Sequence, residues 1–359
     1  MPQPALPLNK YLSAQLPAVR ENFPAGGGAT GERKQYDGVL TGVSIVDDFK
    51  SLVSSYAKTL PEKPIAAHPS HPFPHFLTVL PKLPKELKSA QDVQQYLRQL
   101  PLAATAATLC ALSGTEQGTD YASLSSNSRI DAAGYESDGG EEARLDEAGK
   151  SKADAGEKEA HGEEEGDAGK EAKVDVPGPS WGWRFNKSPL GSGEFLLIDE
   201  KNPEKVHLVV RTINSSAFSN EDWEEYVYEG PYHYNIKNKA SWYHSRNCKA
   251  SRRLGCRYFV FTDYQRWLFG VFSEDYSHLN ITPILPYTAS NPTVLESLVY
   301  WTRSAIGSEQ GYKVNVKDVS GSQAPFDEKS GLARNGSVKK QSKGGVSLGA
   351  ESDVSLMSA

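Results

Sequence analysis

Arg257-Tyr-Phe-Val-Phe-Thr-Asp-Tyr-Gln-Arg-Trp-Leu-Phe-Gly-Val-Phe272 carries two runs of β-branched and aromatic residues around the polar break at 262–266. That composition predicts a β-hairpin. In the second run Trp267, Phe269 and Val271 point one way, and Leu268, Gly270 and Phe272 the other. Apolar groups on both faces predict a hairpin inside a sheet that is covered on both sides.

Working outward, residues 179–307 read as one compact unit. Segments 181–185, 193–199 and 206–213 predict three strands, the last two joined by the turn composition Glu200-Lys-Asn-Pro-Glu-Lys205. A short strand is expected near 281–285. Ser219 or Asn220 is placed to cap a short helix through Trp223 and Tyr226, and a longer helix is expected over 237–254. Asn291 as N-cap, with Pro292 after it, opens a last helix whose apolar face is Leu295, Leu298, Val299 and Ile306. Together these make an α+β fold, a mixed β-sheet of about five strands flanked by helices.

Residues 1–44 are rich in Pro and Gly, with Gly26-Gly27-Gly28, and are expected to hold little fixed structure. Residues 45–114 read as a helical region that packs on the core. Asp47 and Asp48 stand where an N-cap belongs, ahead of Phe49, Leu52, Val53 and Tyr56 at helical spacing. Ser89 and Asp92 form an S-x-x-D capping box before Val93, Tyr96, Leu97 and Leu100. Pro101 is expected to break that helix, and the Ala-rich stretch 102–112 to form another, stopped by Gly114. His68, His71 and His75 alternate with prolines and lack Cys partners, so they read as a solvated loop rather than a metal site. Residues 115–177 turn to Ser, Gly, Glu, Lys, Asp and Ala. They are expected to be a disordered charged linker, as is the polar tail 308–359.

Hydrophobic residues make up 38% of the 359 residues, below the globular share of roughly 45–50%, as those polar segments require. A net charge of −6 gives no global attraction to nucleic acid or to anionic membranes. Cys110, Cys248 and Cys256 imply no disulfide framework. No signal peptide opens the chain, and no apolar run reaches the roughly 18 residues of a membrane span. The expectation is an intracellular protein, cytoplasmic or nuclear, with no membrane partner. The sequons at Asn214, Asn280 and Asn335 are then chance matches.

The order strand, strand, strand, helix, strand, strand, helix resembles the core of the PD-(D/E)XK, restriction-endonuclease-like superfamily. Cys256-Arg-Tyr-Phe-Val-Phe-Thr-Asp263, Trp267-Leu-Phe-Gly270 and Pro292-Thr-Val-Leu-Glu-Ser-Leu-Val-Tyr-Trp301 look like a group of uncharacterised fungal proteins, whose related modules accompany kinase-like domains. The resemblance covers the compact unit and the 89–112 helices. It implies an acid on the second strand and (D/E)-x-K on the third, together holding Mg²⁺ and orienting a water. Glu194 or Asp199 falls at the first acid. The third strand reads Val209-Val210-Arg211-Thr212-Ile213, with Arg211 where a cation repels Mg²⁺. The catalytic pattern is degenerate. The literal D-x-K at Asp199-Glu-Lys201 sits where a strand runs into a turn and is matched by other acid-x-Lys triplets, among them Glu86-Leu-Lys88, Glu171-Ala-Lys173 and Asp327-Glu-Lys329.

The second signal is electrostatic. Residues 231–261 hold no acid, and Lys239, Arg246, Lys249 and Arg253 fall on one stripe of the expected helix, opposite Tyr243, Ala250 and Leu254. With Trp242, Tyr232 and Tyr234 nearby to stack on bases, this is a candidate polyanion-binding face, set against an ordinary solvated one. The expected function is a non-catalytic interaction module on a nuclease-like scaffold, with a protein partner or a weak nucleic-acid contact and no cofactor. The alternatives are a Mg²⁺-dependent nuclease with rewired ligands and a structural partner of a kinase-like protein.

Overall fold

The computed structural model describes residues 7–24, 38–116, 179–187 and 193–314, and the paired strands Phe326–Asp327 and Leu332–Ala333. Residues 117–178, which hold most of the expected linker, and the rest of the expected tail lie outside the described residues. In chain order, α1 is Leu8–Leu12, β1 Arg20–Glu21, β2 Gly42–Ile45, α2 Phe49–Ala57, α3 Phe76–Val79, β3 Glu86–Leu87, α4 Ala90–Leu97 and α5 Ala103–Glu116. Then come β4 Trp181–Asn186, β5 Glu194–Asp199, β6 Asn202–Thr212, α6 Asn220–Tyr226, β7 Gly230–Pro231 and α7 Lys239–Leu254. The last large elements are β8 Tyr258–Thr262, β9 Arg266–Phe272, β10 His278–Ile281, β11 Leu285–Pro286 and α8 Val294–Ala305.

The hairpin is β8–β9, antiparallel from Tyr258↔Val271 to Thr262↔Trp267. It lies in the middle of a mixed nine-stranded sheet of order β4-β5-β6-β8-β9-β10-β2-β7, with β11 paired to β9. The expectation of about five strands was short because β2 and β7 are brief and have no pattern of their own. Backbone pairing places them, β2 lying parallel to β10 and β7 antiparallel to β2. The expected turn at 200–205 is also shorter, since β6 begins at Asn202.

Strict alternation on β8 and β9 feeds two cores, one on each face. Tyr258, Val260, Trp267, Phe269 and Val271 join one core with residues of α2, α4, α5 and α8. Phe259, Phe261, Leu268 and Phe272 join the other with Trp223, Tyr226, Trp242 and Cys248 from α6 and α7. Each large side chain removed from water here contributes about 1.5–3 kcal/mol. Gly270 has a packing reason: a Cβ there would meet the Phe259 ring at 2.3 Å.

The helix ends follow local chemistry, with three corrections, the first being that α5 runs through Gly114 to Glu116 instead of stopping there. Ser89 and Ser219 make full capping boxes, and Gly255 ends α7 in the left-handed conformation at φ 61°. The last helix is capped by Thr293, not Asn291. The Thr293 hydroxyl accepts from the Glu296 N–H, and the Glu296 carboxylate accepts from the Thr293 N–H. Pro101 does not end a helix. Residues Arg98–Leu102 form a π-turn that joins α4 to α5, and the wider turn accommodates the missing proline N–H and the ring.

The N-terminal residues are part of the core. The stretch 1–44, expected to carry little fixed structure, supplies α1, β1 and β2, and buries Leu8, Leu12, Leu16 and Leu40. The expected boundary at residue 179 therefore does not divide the hydrophobic cores. At the other end, residues 308–314 fold back, with Tyr312 packed on Trp301 and its carbonyl accepting from the Tyr258 hydroxyl. No helix among the described residues is long and apolar enough to cross a membrane. Asn280, in the middle sequon, is buried in β10.

Candidate functional site

Strand register brings Glu194 and Arg211 together. Antiparallel pairing of β5 with β6 sets them directly opposite each other, and β4 adds Asn186 across from Glu194. The Arg211 Nη2 donates to Glu194 Oε2 at 2.9 Å. Glu194 Oε1 accepts from Asn186 Nδ2 at 2.9 Å and from Arg253 Nη2 at 3.1 Å. Oε1 thus accepts two hydrogen bonds and Oε2 one, and two of the three donors are guanidinium groups.

The helix α7 completes the network from above. Asn247 accepts from Arg211 Nη1 at 3.1 Å and donates to the Tyr226 hydroxyl at 2.7 Å. The Tyr226 ring stacks on His244 at 3.8 Å, and the Tyr226 carbonyl accepts from His244 Nε2 at 2.9 Å. That bond fixes the His244 tautomer and leaves Nδ1 buried without a partner. Burial lowers the His244 pKa to about 3, so the ring is neutral at physiological pH. Burial also pushes the Tyr226 phenol above its usual range and pulls Arg211 below its own, the latter opposed by the Glu194 charge.

Asp199 takes no part. It lies at the opposite end of β5 from Glu194, about 17 Å along the strand at roughly 3.3 Å per residue. Its carboxylate accepts from the Lys201 N–H at 3.0 Å, which is turn chemistry. Glu194, Asp199 and Arg211 therefore do not converge in one site. Two do, and they neutralise each other. The residues do not fit the Mg²⁺ that the family resemblance implies: the one suitable carboxylate is committed to two cations, and its strand neighbour is Arg211. Among the described residues no group of three His, Cys, Asp or Glu side chains is arranged to hold a metal ion.

The basic stripe on α7 is partly used up within the fold. Lys239 pairs with Asp222 at 3.1 Å, Arg253 with Glu194, and the Arg246 guanidinium lies 5.0 Å over the Trp242 ring. Trp242 and Tyr232 are buried, the Tyr232 hydroxyl donating to the Ser241 carbonyl, so neither offers the open stacking platform expected of it. Lys249 and Arg252 lie on the exposed side at the C-terminal end of α7, next to Arg253, whose guanidinium is held by Glu194.

Sequence reasoning missed Asn186, Tyr226, His244 and Asn247. One signal was available: Asn247 is a polar residue on the stripe that Tyr243 and Ala250 mark as buried, and a polar group there needs partners. The connector with His68 and His71 is also not the solvated loop expected. His68 is 4% exposed, and His71 Nε2 lies 3.1 Å from Ser180 Oγ, which donates to Glu200 Oε2 at 2.8 Å. No family model, curated protein or solved structure matches the chain.

Proposed function

We propose that this chain is a non-catalytic interaction module on a nuclease-like scaffold whose metal position is closed by an internal guanidinium. One observation carries the reading: the Glu194 carboxylate accepts hydrogen bonds from Arg211, Arg253 and Asn186, so a hard cation would have to displace two guanidinium groups to reach it. The order β4-β5-β6, helix α7, then β8 parallel to β6 supports the scaffold part of the proposal. The test is cleavage of plasmid DNA and of RNA with Mg²⁺ or Mn²⁺. No turnover above that of Glu194→Ala is expected. Cleavage by the native chain that Glu194→Ala abolishes would overturn the reading in favour of a nuclease with rewired ligands.

A second part concerns the partner, and charge partition favours a polyanion. Residues 115–177 hold 18 acids and 7 bases, a balance of −11. Since the whole chain is −6, the remainder carries +5. Lys249 and Arg252 put part of that surplus on one exposed helix end. Contact with a nucleic acid or an acidic protein there is weak, because an acidic segment of the same chain competes for it. A kinase-like protein with an acidic surface is one partner of that kind.

A further inference from the structure

Where the N-terminal segment meets the turn of the central hairpin, four buried polar atoms lack a hydrogen-bond partner among the described residues. They are Glu21 Oε1 from β1, Trp223 Nε1 from α6, Asp263 Oδ2 from the turn and Arg266 Nη1 from β9. Asp263 is fully buried. Its Oδ1 accepts from the Arg266 N–H at 2.7 Å. Its Oδ2 lies 3.3 Å from Arg266 Nη1, an ion-pair distance without hydrogen-bond alignment. The guanidinium itself leans over the Trp223 ring, 5.9 Å from its centroid.

The groups that act on Asp263 are Arg266, Glu21 and the Trp223 indole. Two carboxylates against one guanidinium leave a buried negative excess, which is costly unless a proton removes it. A neutral Asp263 relieves the excess and gains an O–H that can donate to the unpartnered Glu21 Oε1.

We infer that Asp263 is a proton-operated latch for residues 7–24: neutral, it holds them against the hairpin turn, and ionised, it repels Glu21 and loosens them. The turn couples the two. Tyr264, next in the chain, takes φ 76°, and its hydroxyl donates to the Pro17 carbonyl at 2.8 Å. Glu21 is held in place by β1–β3 pairing, by the Asn22 N–H on the Leu87 carbonyl and by Arg20 on Glu86. The remaining fastenings are Thr293 Oγ1 to the Leu12 carbonyl, Gln15 Nε2 to the Thr288 carbonyl, the Tyr11 hydroxyl to the Pro74 carbonyl and Asn22 Nδ2 to Glu86 Oε2. Burial raises the Tyr11 phenol and the Asn22 bond lowers the Glu86 carboxyl, so none of them titrates between pH 5 and pH 7.5.

Burial pushes the Asp263 carboxyl up to about 6, with Arg266 pulling it down and Glu21 adding to the rise. A carboxyl whose pKa is raised in the closed state favours closure below that value, and the favour is lost as pH rises through it. Opening of residues 7–24 is therefore expected to increase about tenfold between roughly pH 5 and pH 7.5.

The experiment is amide hydrogen exchange of the full chain, read by mass spectrometry over residues 7–24 and corrected for the intrinsic pH dependence of exchange. The native chain is expected to show that increase with a midpoint near 6, and Asp263→Asn to show none. A flat native profile, or a slope that survives Asp263→Asn, overturns the latch. Glu21→Gln provides a second reading at a peripheral position. It is expected to move the midpoint down, and an unmoved midpoint removes Glu21 from the device and overturns the latch as drawn.

Discussion

Arg211 and Glu194 face each other across the β5–β6 ladder, Nη2 to Oε2 at 2.9 Å, with their side chains only 14% and 7% exposed. A buried pair of this kind specifies a local arrangement more than it stabilises one, because desolvation offsets most of the attraction. Breaking it is another matter. Arg211→Ala is expected to cost about 3–5 kcal/mol in urea unfolding, since Glu194 is left buried beside a single, mostly exposed cation. Arg253→Ala, at a side chain 65% exposed, is expected to cost under about 1 kcal/mol. Replacing Arg211 and Glu194 together by methionine should be far milder than either single loss. Equal costs for Arg211→Ala and Arg253→Ala would show that the network is not organised around the cross-strand pair.

Gly270 and Phe259 make a second cross-strand relationship, in which the ring occupies the space a side chain would need. Gly270→Ala is expected to destabilise by about 1–3 kcal/mol through overpacking. Phe259→Leu in the same chain should recover part of that loss, so the two changes are expected to be strongly non-additive. Additive costs in the double variant would mean that the backbone, not the ring, sets the requirement for glycine.

The central hairpin, the alternation of its faces and the α+β class were legible because each rests on side-chain periodicity within one segment. Ser89 was legible for the same reason, as local capping chemistry, and Ser219 as one of two candidates beside Asn220. The width of the sheet was not. Val43 and Ile45 are too few to mark a strand, and β2 is fixed by its parallel pairing with residues 278–281, more than 230 positions away in sequence. At the candidate site, Glu194 and Arg211 were singled out as weak catalytic candidates, but their mutual neutralisation depends on register. Asp199 was grouped with them although it stands at the far end of its strand. Trp242 looked available for stacking because neighbouring cations marked a wet face. It is instead buried in the core that α6 and α7 form against the sheet, where charge pattern carries no information.

The neutral, buried His244 predicts the acid limb of stability. Its folded-state pKa of about 3 lies below the roughly 6.5 of an exposed histidine. Protonation is therefore disfavoured in the fold, and the stability it contributes is full above pH 6.5 and lost as pH falls toward 3. The loss should amount to several kcal/mol, on the order of 3–5, moderated near pH 6 by the opposite trend of Asp263. His244→Asn is expected to lower stability at neutral pH and to flatten this limb. Urea midpoints at a series of pH values give the answer, and an unchanged slope in the variant would assign acid sensitivity elsewhere.

The exposed end of α7 separates a polyanion contact from an ordinary wet helix face. If Lys249 and Arg252 grip phosphates or carboxylates, affinity must fall steeply with salt as counterions return to the ligand. Lys249→Ala should then lower the log–log salt slope by about one unit. Lys239→Ala should leave it unchanged, because Lys239 is committed to Asp222. The acidic segment 115–177 competes by effective concentration, so replacing its Asp and Glu by Asn and Gln should raise affinity for single-stranded DNA and for polyglutamate. Both chains, native and neutralised, are measured against both ligands across a salt series. Stronger, salt-sensitive binding by the neutralised chain supports the polyanion contact. Equal and negligible binding by the two leaves the cations of α7 as solvated neighbours of an internal ion pair.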